Sequence, residues 1–592
     1  MLLSFIVINS IYLYPSNTIT YDIFGYYIYL PLTFIVDGNS QDAIDFLQTI
    51  KSTYSTSETL YQIQMLKDGG FVMKYTSGWA VCYAPFFFIS HLVAHFTDYP
   101  ADGFSAPYQI GVFVGSLMYT LIGITFLLKI LKHFFSSKFS LLLIALIVFG
   151  TNYLVHITFY GQNAMSHNLL FTGYTMVIWL TIKWYDKQQR KTILLLGLVC
   201  GLMILTRPTE ILCLLIPLLW PLRSNKLRNS LFKKHLKQLI FFTLIIVLIG
   251  SIQLLYWKLK TGHFLFTDYG NPTEGFDLLE PHTLDTLFSF RKGWYVYTPL
   301  MLLATLGFIL LYKKDRKLFI PLFTFFILNL YLVSSWSCWW YATSFSQRAL
   351  IPSMVVMVIP LGYLLQYLWS KGIATRIMTG TVFTTLTLLN IFQTMQYYYG
   401  VIPGDGMTKE YYFASFGSLT QDKNLKKDLL MVDRFDWKNV DYTNKNNYSE
   451  RIIYETSFEE ISGVKSKESF TGNKSFKLND QNIYTPPFKI SFDEITDKDH
   501  AFIKIMAKVY KTGQDNDNPT LLTASFDYKN AVYKWEIKSL IDLPTNQWSE
   551  IEMIYLTPET RTGEDKLTVQ FWHRNDSNIL VDDLVIKAFE PK

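Results

Sequence analysis

One acid, Asp22, sits in the aromatic stretch "TYDIFGYYIYLP" (residues 20–31), just past the apolar run "MLLSFIVINSIYLY". An aspartate there is either an incidental loop charge or a reagent held at a membrane surface. A carboxylate so placed can take the proton of an attacking hydroxyl. Further along lie Tyr26, Lys74, Asp102 in "YPADGFSAPYQ", and His156 and His167 flanking "ITFYGQNAMS". Arg207 and Glu210 bracket Pro208. Glu274, Asp277, Glu280, Arg291 and Lys292 fall in "YGNPTEGFDLLEPHTLDTLFSFRKGW", and Trp336, Trp339, Trp340, Tyr341, Gln347 and Arg348 in "SWSCWWYATSFSQRAL". Arg and Lys hold phosphate by charge-assisted hydrogen bonds. Trp and Tyr suit sugar rings and the headgroup level of a bilayer. Together these types fit a sugar presented on a lipid phosphate. The leaving phosphate is already acidic, so bases need only hold its charge.

Each residue also has an ordinary reading. Loops are polar without special cause, "ADG" suits a turn, and the 336–341 aromatics suit a membrane belt. His156 and His167 read as hydrogen-bonded packing residues, since no ligand spacing accompanies them. Glu274, Asp277 and Glu280 read as a solvated acidic loop, one member of which could touch an acceptor.

The elements that must position these groups follow from composition. Of 592 residues half are apolar and 17% are charged, against about 25% charged in soluble proteins. Apolar runs recur through the first 400 residues, and about 20 such residues cross a bilayer as a helix. Spans are expected at 1–14, 107–130, 139–158, 164–182, 192–206, 209–221, 239–257, 294–312, 318–335, 348–369 and 375–398. The first is short and reads as an uncleaved helix, having no basic n-region or cleavage site. The net charge of +6 is no nucleic-acid signature, because the bases lie in short connectors. Cys82, Cys200, Cys213 and Cys338 show no metal or disulfide spacing and read as small core residues.

Basic connectors alternate with poor or acid-balanced ones. The connectors 129–138, 183–191, 222–238, 313–317 and the Lys371/Arg376 pair carry the bases. By the positive-inside rule they face the cytoplasm, with the N-terminus inside and the C-terminus outside. Both flanks of 192–221 are basic, so it must turn back at Arg207-Pro208, on the outer side. Residues 79–97 would reverse every later connector if they crossed. They read instead as an interfacial or re-entrant helix within one outer loop, 15–106, which also holds a polar helical stretch near 40–67.

Composition shifts after residue 400. Residues 401–450 read as a linker or cap. From 451, short alternating runs such as "AFIKIMAKVYK", "LLTASFDY" and "LTVQFWHR" are separated by Gly/Asn/Asp/Pro clusters, as in an antiparallel sandwich outside the membrane. Trp535, Trp548 and Trp572 there read either as sugar platforms or as core, the core reading being favoured for two of them.

Over roughly residues 1–400 the chain resembles the GT-C superfamily of integral-membrane glycosyltransferases, similar to protein O-mannosyltransferases and lipid A aminoarabinose transferases. Asp22 occupies the place of that superfamily's catalytic aspartate. "MKYTSGWAVCYAPFFF" resembles its Lys-x-x-x-Gly-Tyr/Trp segment, which implies that Lys74 contacts the donor phosphate. "SQRALIPSMVVM" resembles its Arg-x-Leu-x-Pro entry to a late span, which implies the same for Arg348, with Arg207 and Arg291 as further phosphate ligands. Tyr26, Asp102, His167, Glu274, Trp339, Trp340 and Tyr341 are expected near substrate or acceptor. Many relatives carry a second acid where this chain has His167, so no obligatory metal is expected in the membrane part. The sandwich resembles carbohydrate-binding-module jelly rolls, whose opening Glu and closing Asp share a structural calcium; here these are Glu459 and Asp583.

The expectation is therefore a polytopic α-helical membrane protein with a C-terminal extracytoplasmic all-β sandwich. It would move a sugar from a polyprenyl-phosphate donor to a glycan, lipid or protein hydroxyl at the outer face of a bacterial inner membrane. A flippase of lipid-linked saccharides is the chief rival. It needs charges within the spans, and these crowd one face instead. A polysaccharide polymerase or ligase and a non-catalytic glycan receptor would also fit this composition.

Overall fold

A computed structural model describes residues 18–36, 41–67, 69–159, 161–220, 230, 233–266, 274–434, 436–461, 463, 465–513, 518–575 and 577–592. The expected first span, 1–14, lies outside them. The chain divides into two compact units, Met1–Tyr269 with Phe276–Leu429, and Gly270–Gly275 with Leu430–Lys592. The stretch 401–450 is thus shared between them.

In the first unit, apolar runs become long helices because a chain without water must satisfy its backbone internally. Five described helices are long and apolar enough to cross a membrane: Gly78–His95, Ala106–Phe134, Leu236–Thr261, Arg316–Ser334 and Arg348–Trp369. The chain is an integral membrane protein. The remaining expected spans coincide with helices that are shorter or more polar. Ser137–Phe149 and Tyr153–Thr158 are separate helices, with Gly150, Thr151 and Asn152 between them. Arg190–Thr206 stops at Arg207, and a 3-10 turn, Pro208–Leu214, leads into Leu215–Leu219.

Ser166–Lys187 buries Ser166, His167, Asn168, Thr172, Thr175 and Thr181. Asn168 Nδ2 donates to Thr120 Oγ1 at 2.9 Å, and Tyr153 Oη donates to Asn168 Oδ1 at 3.1 Å. Asn390 Nδ2 reaches the carbonyls of Phe149 and Thr151 at 2.9 and 2.8 Å. Such buried side-chain bonds fix neighbouring helices where apolar packing alone gives little preference.

The stretch expected as the first outer loop folds into Tyr21–Tyr27, Tyr29–Phe34, Gln41–Tyr54, a small hairpin of Ile63–Met65 with Phe71–Met73, and Gly78–His95. Gly78–His95, expected at the interface, meets Ala106–Phe134 as an antiparallel neighbour. Gly111 faces Ser90, Gly115 faces Phe86 and Tyr83, and Tyr119 Oη donates to the Cys82 carbonyl at 2.6 Å. All three contacts lie in the first half of Ala106–Phe134, while Phe88, Ile89, Leu92 and Val93 point outward, exposed. At the start of the same helix a Cβ on Gly78 would lie 2.2 Å from the Thr206 backbone nitrogen. Gly78→Ala is therefore expected to cost about 1–3 kcal/mol by overpacking, read as a lowered melting temperature of the purified protein.

The second unit holds two antiparallel sheets. One runs Trp548–Leu556, Phe502–Lys511, Ile579–Pro591, Ser475–Leu478, Lys465–Ser466, with Tyr448–Thr456 also on Ile579–Pro591. The other runs Phe488–Ser491, Lys566–Trp572, Leu521–Tyr528, Ala531–Ser539. Alternate residues of both sheets, among them Ile503, Ile505, Ala524, Phe526, Val569, Phe571 and Val581, form one buried cluster. This period of two fits a sandwich. The edge strand Ala531–Ser539 sets Lys534, Glu536 and Lys538 opposite the buried Phe526, Ala524 and Leu522.

Candidate functional site

Asp22 lies in the first turn of Tyr21–Tyr27, where the helix dipole favours a carboxylate. The preceding segment is pinned by Gln109, whose Oε1 accepts from the backbone N–H of Thr18 at 2.7 Å and Ile19 at 2.9 Å. Both oxygens of Asp22 are engaged. Oδ1 accepts from Tyr75 Oη at 2.7 Å and Tyr61 Oη at 2.9 Å, and Oδ2 accepts from Arg348 Nη2 at 3.1 Å. The pair is separated by 326 residues in sequence. The Asp22 side chain is 21% exposed and that of Arg348 11%. Burial raises the Asp22 pKa, but the Arg348 guanidinium, the two tyrosine hydroxyls and the charge of Arg207 together hold it below the ordinary carboxylate value.

The other expected residues divide into groups. Lys74 follows the hairpin; its backbone N–H donates to the Gln62 carbonyl, and its Nζ lies 5.7 Å from the Tyr61 ring, on the tyrosine that bonds Asp22. Arg207 sits at the helix break, with Nη2 3.4 Å from His167 Nε2 and the Tyr26 hydroxyl beside it. Because a guanidinium only donates, His167 Nε2 is the acceptor there. Tyr26 packs on Tyr75 with ring centroids 4.6 Å apart. Tyr341 lies within electrostatic reach of Arg207 and Arg348. His156 and His167 are fully buried with ring centroids 6.2 Å apart; among the described residues no partner in hydrogen-bond geometry meets either His156 ring nitrogen, the Gln162 backbone being nearby. Asp22, Lys74, Arg207, Arg348, Tyr26, His167 and Tyr341 thus form one neighbourhood.

Five expected residues, Arg291, Trp340, Trp339, Asp102 and Glu274, are elsewhere. Arg291 grips Asp405 through Nε at 2.9 Å and Nη2 at 3.2 Å, with its guanidinium 3.9 Å from the Trp340 ring centroid. Trp339 stacks on His282 at 6.3 Å. Asp102 accepts from Tyr54 Oη at 2.5 Å and from the N–H groups of Phe104 and Ser105, which is turn work at the head of Ala106–Phe134. Glu274 belongs to the second unit. The sequence reading missed Asp405 and Lys292 as partners in this arrangement. Lys292 is 1% exposed, and its Nζ donates to the carbonyls of Ser344 and Gly404.

In the second unit, Glu459 Oε1 accepts from the backbone N–H of Asn473 and Lys474, and Asp583 Oδ1 accepts from Thr471 Oγ1 at 2.6 Å. Asp582 Oδ2 accepts from the N–H of Phe470 at 2.8 Å and of Thr471 at 3.2 Å. Glu459 and Asp583 border one loop, and each gives one oxygen to that loop's own donors. Among the described residues no three His, Cys, Asp or Glu side chains converge as a metal site. Trp548 packs against Phe470 and Tyr510. Trp572 stacks on Tyr484 with Arg574 over it, and Trp535 is 61% exposed on the four-stranded sheet.

Comparison with curated proteins gives no match. Residues 105–257 match the family model described as dolichyl-phosphate-mannose-protein mannosyltransferase. That segment holds His156, His167, Arg207 and Glu210, and ends before Arg348. Over those residues, roughly a quarter of its length, this membrane protein is similar to dolichyl-phosphate-mannose-protein mannosyltransferases, and so to membrane glycosyltransferases of the GT-C type.

Proposed function

We propose that the chain transfers a sugar from a polyprenyl-phosphate donor to an acceptor hydroxyl at the outer face of the membrane. The carrying observation is the Asp22–Arg348 contact, which brings an acid from the first outer loop to the cation that opens a late helix. Asp22 takes the acceptor proton as the acceptor oxygen attacks the anomeric carbon from the face opposite the phosphate. The bond from carbon to phosphate oxygen breaks, and its electron pair stays on the phosphate. Arg348, Arg207 and Lys74 hold that charge. The step inverts the anomeric centre and routes nothing through a metal. The wider proposal is eleven spans, with the N-terminus in the cytoplasm of a bacterium and the second unit outside. Incubating the purified protein with labelled, shortened prenyl-phosphate hexoses and membrane extract tests it. Label should move to an acceptor and be lost with Asp22→Asn; transfer at full rate by that variant would remove Asp22 from the reading.

The second unit is proposed to hold a glycan as a jelly-roll-like carbohydrate-binding domain. Strand pairing aligns Trp535 with Ser525 and Thr568, and Ile537 with Thr523 and Gln570, across the outer face of the four-stranded sheet. One exposed indole amid hydroxyl and amide groups suits a sugar ring. Trp535→Ala is expected to weaken retention on immobilised envelope glycan about tenfold, worth about 1.4 kcal/mol, measured by affinity electrophoresis. A structural calcium at Glu459 and Asp583 is tested in parallel: a chelator that lowers the melting temperature of this unit, with recovery on adding calcium, supports it.

A further inference from the structure

We infer that Lys292 and the Arg291–Asp405 pair form a clasp that positions Arg348 against Asp22, so that all three are positioning residues rather than substrate ligands. Its kinetic arm rests on the transfer reading above. The segment leading to Arg348 bends through the left-handed region at Tyr341 (φ 52°), Ala342 (φ 49°) and Ser346 (φ 55°). Each such non-glycine residue costs about 1–3 kcal/mol and persists only where surroundings over-determine it. The surroundings here come from three separate parts of the chain. Lys292 Nζ donates to the carbonyls of Ser344 and Gly404, and the Ser344 N–H donates to the Gly404 carbonyl at 3.0 Å. Arg291, the adjacent residue, forks onto Asp405 and covers the Trp340 ring. Gln347 closes the bend, with Nε2 donating to the Trp339 carbonyl at 3.1 Å and its own carbonyl accepting from Asn152 Nδ2 at 3.3 Å.

Lys292 is an expensive choice for a spacer. A buried ammonium bonded to carbonyl dipoles costs far more than a packed apolar side chain unless its donors are used. Burial draws its pKa down to about 7, against the pull of Asp405. Both carbonyls it ties belong to the two turns that must stay together, and Ser344 is four residues from Arg348. A shift of about 1 Å in a positioned group costs on the order of 100-fold in rate. The clasp therefore acts through where Arg348 sits.

The test uses the full chain in nanodiscs. Lys292→Met should speed amide exchange at 341–350 and 402–406 at least about tenfold while Ile351–Trp369 keeps its protection. With a shortened prenyl-phosphate hexose, kcat/KM should fall by about 10–100-fold. In an Arg348→Lys background the same substitution should cost less than about threefold, because coupled residues are non-additive. Asp405→Asn, where the side chain is 36% exposed, should give the same pattern if Lys292→Met folds poorly. Unchanged exchange in both variants overturns the clasp, as does an equal loss in both backgrounds. If the wild type transfers no donor, the transfer reading fails, and the exchange result alone decides the clasp.

Discussion

Asp22→Asn is expected to lower transfer by about 10³-fold, within the 10²–10⁴ range of general-base catalysis. The amide keeps the shape and can still accept from Tyr75 and Tyr61, so insertion should be unchanged, while the melting temperature should fall by what the Arg348 ion pair contributes. It cannot take the acceptor's proton, and it leaves Arg348 without an anion. Single-turnover assays separate these effects, since the loss should fall on the chemical step rather than on donor binding. Asp22→Glu should recover only part of the rate, because it moves the carboxylate by a methylene. A variant with Asn at 22 that turned over normally would leave the site as an anion-binding patch without a base.

The second large effect is expected at Arg348. Arg348→Gln should cost about 10²-fold in kcat/KM, the order seen when one preorganised partner of a developing charge is removed. It should also change the pH profile. Asp22 is held below the ordinary carboxylate pKa of about 3.9, against burial that pushes it up, in large part by Arg348. The acid limb of the wild-type profile should therefore lie below the ordinary carboxylate range. Without Arg348 the burial effect is less opposed, so the acid limb should move to higher pH. The same sign holds for stability. The pair stabilises the fold above the unfolded carboxylate pKa, and that contribution disappears as pH falls through the folded value. An acid limb that stayed in place in Arg348→Gln would show that this guanidinium does not set the base.

Much of this was legible in the sequence, for identifiable reasons. Apolar runs and the Arg207-Pro208 break mark helices because backbone satisfaction and proline sterics act locally. The strands from 475 onward follow from a period of two and from their turn residues. Asp22, Lys74 and Arg348 could be read as partners only through the order of their motifs, since nothing local in "TYDIF" points to "SQRAL". The roles of Arg291, Lys292 and Asp405 were not legible. A loop arginine looks the same whether it faces a phosphate or a carboxylate 114 residues away, and a lysine beside it gives no sign that its ammonium is tied to two carbonyls. Among the tryptophans, alternation alone cannot separate Trp535, exposed, from Trp548, packed on Phe470 and Tyr510. The sheet each strand joins decides that, and strand order is a long-range property.

The outermost strand of the four-stranded sheet has a practical consequence. A bare sheet rim is a template on which another chain can add a strand, the first step towards fibrils. Lys534, Glu536 and Lys538 would have to be stripped of water for that to happen at Ala531–Ser539. Replacing all three with valine is the change most apt to turn this unit from a dispersed particle into a precipitate.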